Sequence, residues 1–166
     1  MNLRDIQAFY DYNCWATDRV LNAAGKLGAG QLTAPVSTSN YGSLRGTLVH
    51  TLDAEEAYRA RMATGDNPPD LNEVDFPTVD SLAARWRAEQ ARMRTYIATL
   101  KDESLDEIAV YQSDGMQRQR PRWHIFAQLF GHGAQHRAEA AIILTSYNQS
   151  PGDLDFVVWA DSLNKQ

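Results

Sequence analysis

Two histidines four residues apart are the side chains in this sequence best placed to do chemistry. His132 and His136 lie in the segment 131–137, inside a stretch typical of a long helix. One helical turn puts both imidazoles on the same face, about 6 Å apart along the axis. Two rings so placed can bind one metal ion at nitrogen distances of about 2.0–2.1 Å. Two histidines do not complete a protein metal site, so the position of a third ligand decides the interpretation.

His50 is the natural candidate for that third ligand. It lies midway along a second predicted helix, in the segment 46–52, with apolar residues on both sides. His124 precedes His132 by eight residues, which is roughly 12 Å along a helix and too far to share the ion easily. The alternative stays open that these are ordinary histidines, because a neutral imidazole is satisfied by one hydrogen bond.

Composition limits the classes of protein to which the chain can belong. The 166 residues are 43% hydrophobic, which is enough for one core, and we expect a single domain over residues 1–166. The 16 basic and 21 acidic residues give a net charge of -5, which argues against a nucleic-acid binder. Arginines cluster at positions 118, 120 and 122, and again between 85 and 94, where a solvated helix face is the simpler interpretation.

The sequence also carries indications of location. Cys14 is the single cysteine, so an intramolecular disulfide is impossible, which suits a reducing compartment. The first residues lack the basic and then apolar run of a signal peptide. The longest apolar stretches, such as residues 140–144, are too short to span a bilayer. We therefore expect a soluble, cytoplasmic protein without a membrane partner.

Apolar residues at helical spacing predict four long helices and one short helix. The long helices are expected near residues 3–24, 43–63, 78–101 and 121–147, and the short closing helix near residues 153–163. Ser43 and Thr78 are suitable N-caps, and Pro121 suits the first position of the fourth helix. Gly, Pro, Ser, Thr and Asn make residues 26–42 a loop.

Residues 106–120 have a different character. Ile108 and Val110 alternate with their neighbours at a period of two, and Ser113-Asp114-Gly115 is typical of a hairpin turn. The sequence therefore predicts an all-α fold: a four-helix bundle with a short β-hairpin before the fourth helix and a short C-terminal helix. Bundles hold metal sites between facing helices, which agrees with histidines on two of the helices.

Four short motifs, in order along nearly the whole chain, resemble the DinB family, the DinB/YfiT-like superfamily of metalloenzymes. The first helix carries Tyr12-Asn13, Trp15-Ala16 and Arg19, which resemble the opening signature of that family. His50 stands where the family has its first metal ligand, and His132 and His136, followed by Arg137, resemble its second and third ligands. The segment 151–156 resembles the closing Pro-x-Asp-x-Asp-Phe pattern.

The resemblance implies a bundle that holds a divalent ion on His50, His132 and His136, and often a homodimer. Some relatives transfer groups to low-molecular-weight thiols, others resemble hydrolases, and many have no assigned reaction. The family name comes from damage-inducible expression and does not imply DNA binding. One departure is Gln135, where many relatives have a histidine next to the ligand, so the surroundings of the ion can differ here.

Three neutral imidazoles leave at least one coordination position open, which is typical of a catalytic metal site. Nitrogen ligands suit zinc or nickel. Two functions follow as hypotheses: a metal-dependent enzyme, of the thiol S-transferase or hydrolase type, acting on a small molecule such as a low-molecular-weight thiol, or a metal-binding stress-response protein without catalysis. No residue is assigned a catalytic role.

Several neighbours have open roles. Asp53 and Glu56 are candidates to fix a histidine ring or to act as a general base, and the alternative is a solvated face with Arg59 as partner. Glu139 is expected to reach only the edge of the histidine face. Arg137 either binds an anionic substrate group or forms a salt bridge between helices. Core or dimer contacts, rather than a platform for substrate, are the expected role of the aromatic residues Tyr12, Trp15 and Trp123.

Overall fold

The protein is mainly helical, as expected. A computed structural model describes residues 1–28 and 30–164, and in these it forms five α-helices and one two-stranded antiparallel hairpin. The hairpin comes directly before the fourth helix, and a short helix follows that one. The elements in chain order are α1 (Leu3–Ala24), α2 (Leu44–Ala63), α3 (Val79–Ala98), β1 (Ile108–Ser113), β2 (Met116–Pro121), α4 (Arg122–Ser146) and α5 (Phe156–Leu163).

Polar side chains fix where three of the helices begin. The Ser43 hydroxyl accepts a hydrogen bond from the Gly46 amide at 3.0 Å, and Thr78 accepts one from Ser81 at 3.2 Å. These two predicted N-caps are confirmed, because each side chain satisfies an amide that has no partner inside its helix. At the start of α1, Asn2 and Asp5 cap each other in the same way.

Two predicted helix starts are wrong. Pro121 is not the first residue of α4, because it ends β2 opposite Ile108 and its ψ of 141° keeps it extended. The closing helix begins at Phe156 rather than near residue 153. Gly152, with a φ of +75°, turns the chain in the left-handed region just before that helix, and Pro151 precedes the turn.

The hairpin has the turn that its sequence predicts. Asp114 and Gly115 have φ values of +54° and +71°, and Ser113 pairs with Met116 across them. Two central residues with positive φ form a type I′ turn, whose twist matches that of paired strands. Ala109 and Tyr111 point inward and are buried, whereas Ile108 and Val110 are exposed. The hairpin packs against α2 and α4.

Each long helix packs against two others. α4 lies against α1 and α2, α3 lies against the same two helices, and α5 covers part of α1. One apolar cluster joins the last turns of α1 and α4 to the first turns of α2 and α3, and a second cluster joins the opposite ends. α1 and α4 therefore run in one direction and α2 and α3 in the other.

A layer of buried polar side chains lies between the two apolar clusters. It includes Asn13 on α1, Glu55 on α2, Glu89 on α3, and His136 and Arg137 on α4. Burying such groups is costly unless they bond to one another, so the layer needs specific partners. None of the described helices is long and apolar enough to cross a membrane.

Candidate metal centre

The three histidines singled out in the sequence meet between α2 and α4. One ring nitrogen from each of His50, His132 and His136 lies within 4.8 Å of the other two. The Nε2 atoms of His50 and His132 are 3.0 Å apart. His124, by contrast, is exposed and packs edge-on against Trp123, at a ring-centroid distance of 4.0 Å. The fold therefore brings together the three predicted residues and leaves out the fourth histidine.

The donor set fits a divalent ion. Two nitrogen atoms bound to one tetrahedral ion at 2.0–2.1 Å are roughly 3.3 Å apart. The 3.0 Å separation of the His50 and His132 nitrogens is close to this value. Because the three nitrogens all lie within 4.8 Å of one another, the His136 ring needs only a small movement to bind the same ion. Three imidazoles that converge in this way can hold a zinc-like or nickel-like ion.

Glu139 fixes the orientation of His136. Its Oε2 lies 3.0 Å from Nδ1 of His136, which leaves Nε2 as the nitrogen free to bind a metal. Its other oxygen accepts a hydrogen bond from the Thr47 hydroxyl on α2 at 3.5 Å. Burial acts to raise the pKa of Glu139, but hydrogen bonds from Ser39 and His136 outweigh it and lower that pKa. The carboxylate is therefore ionised when it accepts from the imidazole.

The expectation that Glu139 reaches only the edge of the histidine face is thus wrong, and so are the partners proposed on α2. Asp53 accepts a hydrogen bond from the Leu71 amide at 2.8 Å. Glu56 forms a two-point ion pair with Arg85, at 2.5 and 2.6 Å. These carboxylates lie on sides of α2 that face α3 and the loop before it, away from the three imidazoles.

The alternative, in which Arg59 is the partner of Asp53 and Glu56, is also wrong. Arg59 forms its ion pair with the fully buried Glu89 of α3. Glu56, which is 2% exposed, lies on no solvated face. Pairing across the α2–α3 contact satisfies these charges, as buried charges require.

Two tyrosines that the sequence did not single out flank the histidines. The Tyr41 ring stacks on the His50 ring at a centroid distance of 3.9 Å and meets the His136 ring edge-on at a centroid distance of 5.4 Å. Tyr58 packs edge-on against His132 at 5.8 Å. Tyr58 follows His50 by eight residues, so helical spacing could have revealed it. Tyr41 lies in a loop, where spacing gives no such signal.

Gly46 allows that loop to approach. A Cβ atom at this position would lie 2.1 Å from the Tyr41 carbonyl oxygen, so any side chain would push the loop away. Tyr41 is also held by a hydrogen bond from its amide to the Ser39 hydroxyl, at 3.1 Å. The first turn of α2 thus places an aromatic ring over the His50 imidazole four residues later.

The environment keeps the imidazoles in the form that binds metals. Burial lowers the pKa of His132 to about 4, and the neighbouring His136 and His50 add to this effect. Burial, assisted by His136, also lowers the pKa of His50. Metal ligation needs a deprotonated ring nitrogen, so both residues are ready to bind at neutral pH.

Arg137 belongs to the buried polar layer rather than to a substrate site. It is 4% exposed and donates a hydrogen bond to the Asn13 side-chain oxygen, and Asn13 in turn donates to Glu55. Trp86 donates to the other Glu55 oxygen at 2.5 Å. Burial raises the pKa of Glu55 to about 7, although the Trp86 hydrogen bond and the Arg137 charge oppose that rise. Arg137 therefore joins α4 to α1 through Asn13 rather than through the expected salt bridge, and its burial argues against the binding of an anionic substrate group.

The three aromatic residues have separate environments. Tyr12 donates a hydrogen bond to the Leu154 carbonyl at 2.7 Å and holds the C-terminal segment on α1. The Arg19 guanidinium lies 5.0 Å above the Trp15 ring. Trp123 is 37% exposed and lines a cleft of about 620 Å³ between α2, the hairpin and α4. Tyr58 and Gln128 also line this cleft, and Tyr58 packs against His132.

Comparison with protein families agrees with this geometry. The family model described as the DinB superfamily matches residues 15–140, a range that contains all three histidines. The opening Tyr12-Asn13 pair and the closing segment 151–156 lie outside the matched range. A search of curated proteins found no match. Since the match covers more than half of the residues, the chain belongs to the DinB superfamily.

Proposed function

We propose that this protein is a metal-dependent enzyme that acts on a small molecule, as a thiol S-transferase or a hydrolase. Its metal ligands are His50, His132 and His136, and its native ion is zinc or nickel. The observation that carries the proposal is the convergence of one nitrogen from each ring within 4.8 Å. Glu139 supports it further, because a carboxylate partner on the second nitrogen is usual for metal-binding histidines.

The residues of the site have separate roles. Three protein ligands leave a position for water or a substrate thiol, whose pKa a bound divalent ion lowers. Glu139 holds the His136 ring in the tautomer that presents Nε2. Tyr41 covers one face of the His50 ring, so a substrate approaches from the side of Tyr58 and the cleft. No general base is assigned, because the carboxylates on α2 have other partners.

The alternative is a metal-binding stress-response protein without catalysis. Such a protein needs no space for a substrate next to its ion. Tyr58, which packs against His132, also lines a cleft of about 620 Å³, and a cleft of this size lies within the range of small-molecule sites and favours the enzyme.

The proposal also includes a four-helix-bundle fold, a cytoplasmic location and a homodimer. Exposed apolar side chains on α4 and α5, including Ile142 and Val157, support self-association. Light scattering on purified protein tests it: we expect the mass of two chains, and the mass of one chain would remove the dimer from the proposal. The acidic balance supports the absence of a nucleic-acid partner.

Metal analysis of untagged protein tests the ligand set. We expect the wild type to bind one equivalent of zinc or nickel, and His50→Ala, His132→Ala and His136→Ala each to lose most of it. His124→Ala is the matched control, because it removes an exposed histidine from the same helix as two of the ligands. Full metal retention by His50→Ala would show that the third ligand is wrong.

A second experiment tests catalysis. Metal-loaded protein is incubated with cellular thiols and a panel of electrophiles and esters, and conjugates or hydrolysis products are followed by mass spectrometry. We expect turnover by the wild type and none by His132→Ala. The absence of any product across the panel would favour the non-catalytic alternative.

A further inference from the structure

The cleft beside the histidines is lined by aromatic and cationic side chains. Tyr58 and Arg61 of α2 form one wall, Tyr111 and Arg120 of the hairpin form a second, and Trp123 and Gln128 of α4 form the third. Its volume of about 620 Å³ suits a small organic molecule.

Tyr58 links this cleft to the metal centre. Gln128 is one helical turn before His132, and its side-chain amide donates to the Tyr58 hydroxyl at 3.4 Å. Tyr58 in turn packs against the His132 ring at 5.8 Å. On α2, Arg61 follows His50 by 11 residues, which is roughly 16 Å along the axis. The cleft thus has Tyr58, the neighbour of His132, in its lining together with the guanidinium groups of Arg61 and Arg120.

Arg61 is held in place without an acidic partner. Its Nε donates to the Asn67 side-chain oxygen at 2.7 Å, and its guanidinium lies 5.7 Å from the Tyr58 ring and 5.4 Å from the Tyr111 ring. No ion pair joins Arg61 or Arg120 to a carboxylate in residues 1–28 and 30–164. The terminal nitrogens of Arg61 are therefore positioned but still free to donate.

The neighbouring arginines show the contrast. Arg118, on the same strand as Arg120, lies 3.7 Å from Asp114, and Arg122 pairs with Glu107. No acidic side chain lines the cleft, although the whole chain has a net charge of -5. A locally positive cleft in an acidic protein attracts anions selectively.

We propose that this cleft binds the oxyanion group of an elongated small substrate on Arg61 and Arg120, with a flat portion packed among Tyr58, Tyr111 and Trp123. Guanidinium groups bind carboxylates and phosphates through paired, charge-assisted hydrogen bonds. Such a molecule extends toward His132, where its reactive end meets the metal centre. That last step rests on the proposed function, whereas anion binding in the cleft does not.

Calorimetric titration of metal-loaded protein tests the proposal with three probes: 4-phenylbutyrate, 4-phenylbutyl phosphate and the uncharged 4-phenylbutanol. We expect at least one anion to bind about tenfold more tightly than the alcohol. Arg120→Gln and Arg61→Gln should each weaken that anion about tenfold and leave the alcohol unchanged. Arg118→Gln is the matched control, since it removes a charge from the same strand outside the cleft.

Equal affinity for anions and alcohol, or equal loss in Arg118→Gln and Arg120→Gln, would overturn the proposal. Comparison of the carboxylate with the phosphate identifies the preferred oxyanion. Metal content of each variant is measured in parallel. An anion site that depends on Arg120 in a protein that binds no metal would retain this inference and refute the proposed function. Metal binding by a protein that has no such anion site would refute this inference and retain the proposed function.

Discussion

Glu139 shows how a single residue can decide the orientation of a candidate metal ligand. It follows His136 by three residues on α4, and its carboxylate oxygen lies 3.0 Å from Nδ1 of that ring. Thr47 of α2 bonds its second oxygen. The carboxylate is therefore fixed between two helices, and the imidazole that it holds presents one defined nitrogen.

Replacement of Glu139 by alanine should weaken metal binding about 10–100-fold, because the His136 ring would lose both its orientation and a negative partner. Competition with a chromophoric chelator measures the affinity. Glu103→Ala is the control, since it removes an exposed carboxylate that is not part of the histidine cluster. Equal affinities in the two variants would contradict the role assigned to Glu139.

At the scale of elements, close contact between α1 and α4 depends on Gly133. A Cβ atom there would lie 2.8 Å from the Arg137 guanidinium and 2.8 Å from the Asn13 oxygen. Both groups belong to the buried polar layer and bond to each other. The glycine between His132 and His136 thus makes room for the contact between these helices.

Gly133→Ala should destabilise the protein by about 1–3 kcal/mol, because the new methyl group displaces buried, hydrogen-bonded side chains. Gly131→Ala is an ideal comparison: it lies on the same helix, and its Cβ would meet nothing within 4 Å. That variant should gain about 0.5–1 kcal/mol from helix propensity. Urea unfolding of both variants measures the difference, and equal stabilities would refute the packing argument.

At the scale of the whole molecule, the polar layer divides the core into two apolar clusters and carries the site at its edge. Its charges are buried but paired across helices, as Glu89 is with Arg59 and Glu56 with Arg85. Pairs of this kind give the packing a specific register, because a shift of one helix would leave buried charges unpaired. The same register brings His50 of α2 to the histidines of α4.

Stability of the metal-free protein should fall as the pH drops from about 6.5 to about 4. The folded His132 has a pKa of about 4, whereas a histidine in the unfolded chain titrates near 6.5. Between these values the unfolded chain binds a proton that the folded chain excludes, so acid favours unfolding. His132→Ala should lose less stability than the wild type between pH 7 and pH 5, as measured by urea unfolding.

His124→Ala is the control for that experiment, because it removes a histidine that lies outside the cluster. It should retain the pH dependence of the wild type. The same loss of stability in the His132→Ala and His124→Ala variants would show that the cluster does not resist protonation.

Local sequence alone determined much of this protein. The spacing of His132 and His136 placed two rings on one face, Ser43 and Thr78 fixed two helix starts, and Asp114-Gly115 fixed a hairpin turn. In each case the partners are neighbours along the chain, so helix and turn geometry suffices to relate them.

Tertiary packing decided the rest. The carboxylate at His136 is Glu139 rather than Asp53 or Glu56, because the rotation of α2 turns those two toward α3 and its preceding loop. The stacking of Tyr41 on His50 and the cationic cleft join distant segments. Spacing along one helix cannot reveal such partners, since they depend on how helices rotate and how loops cross them.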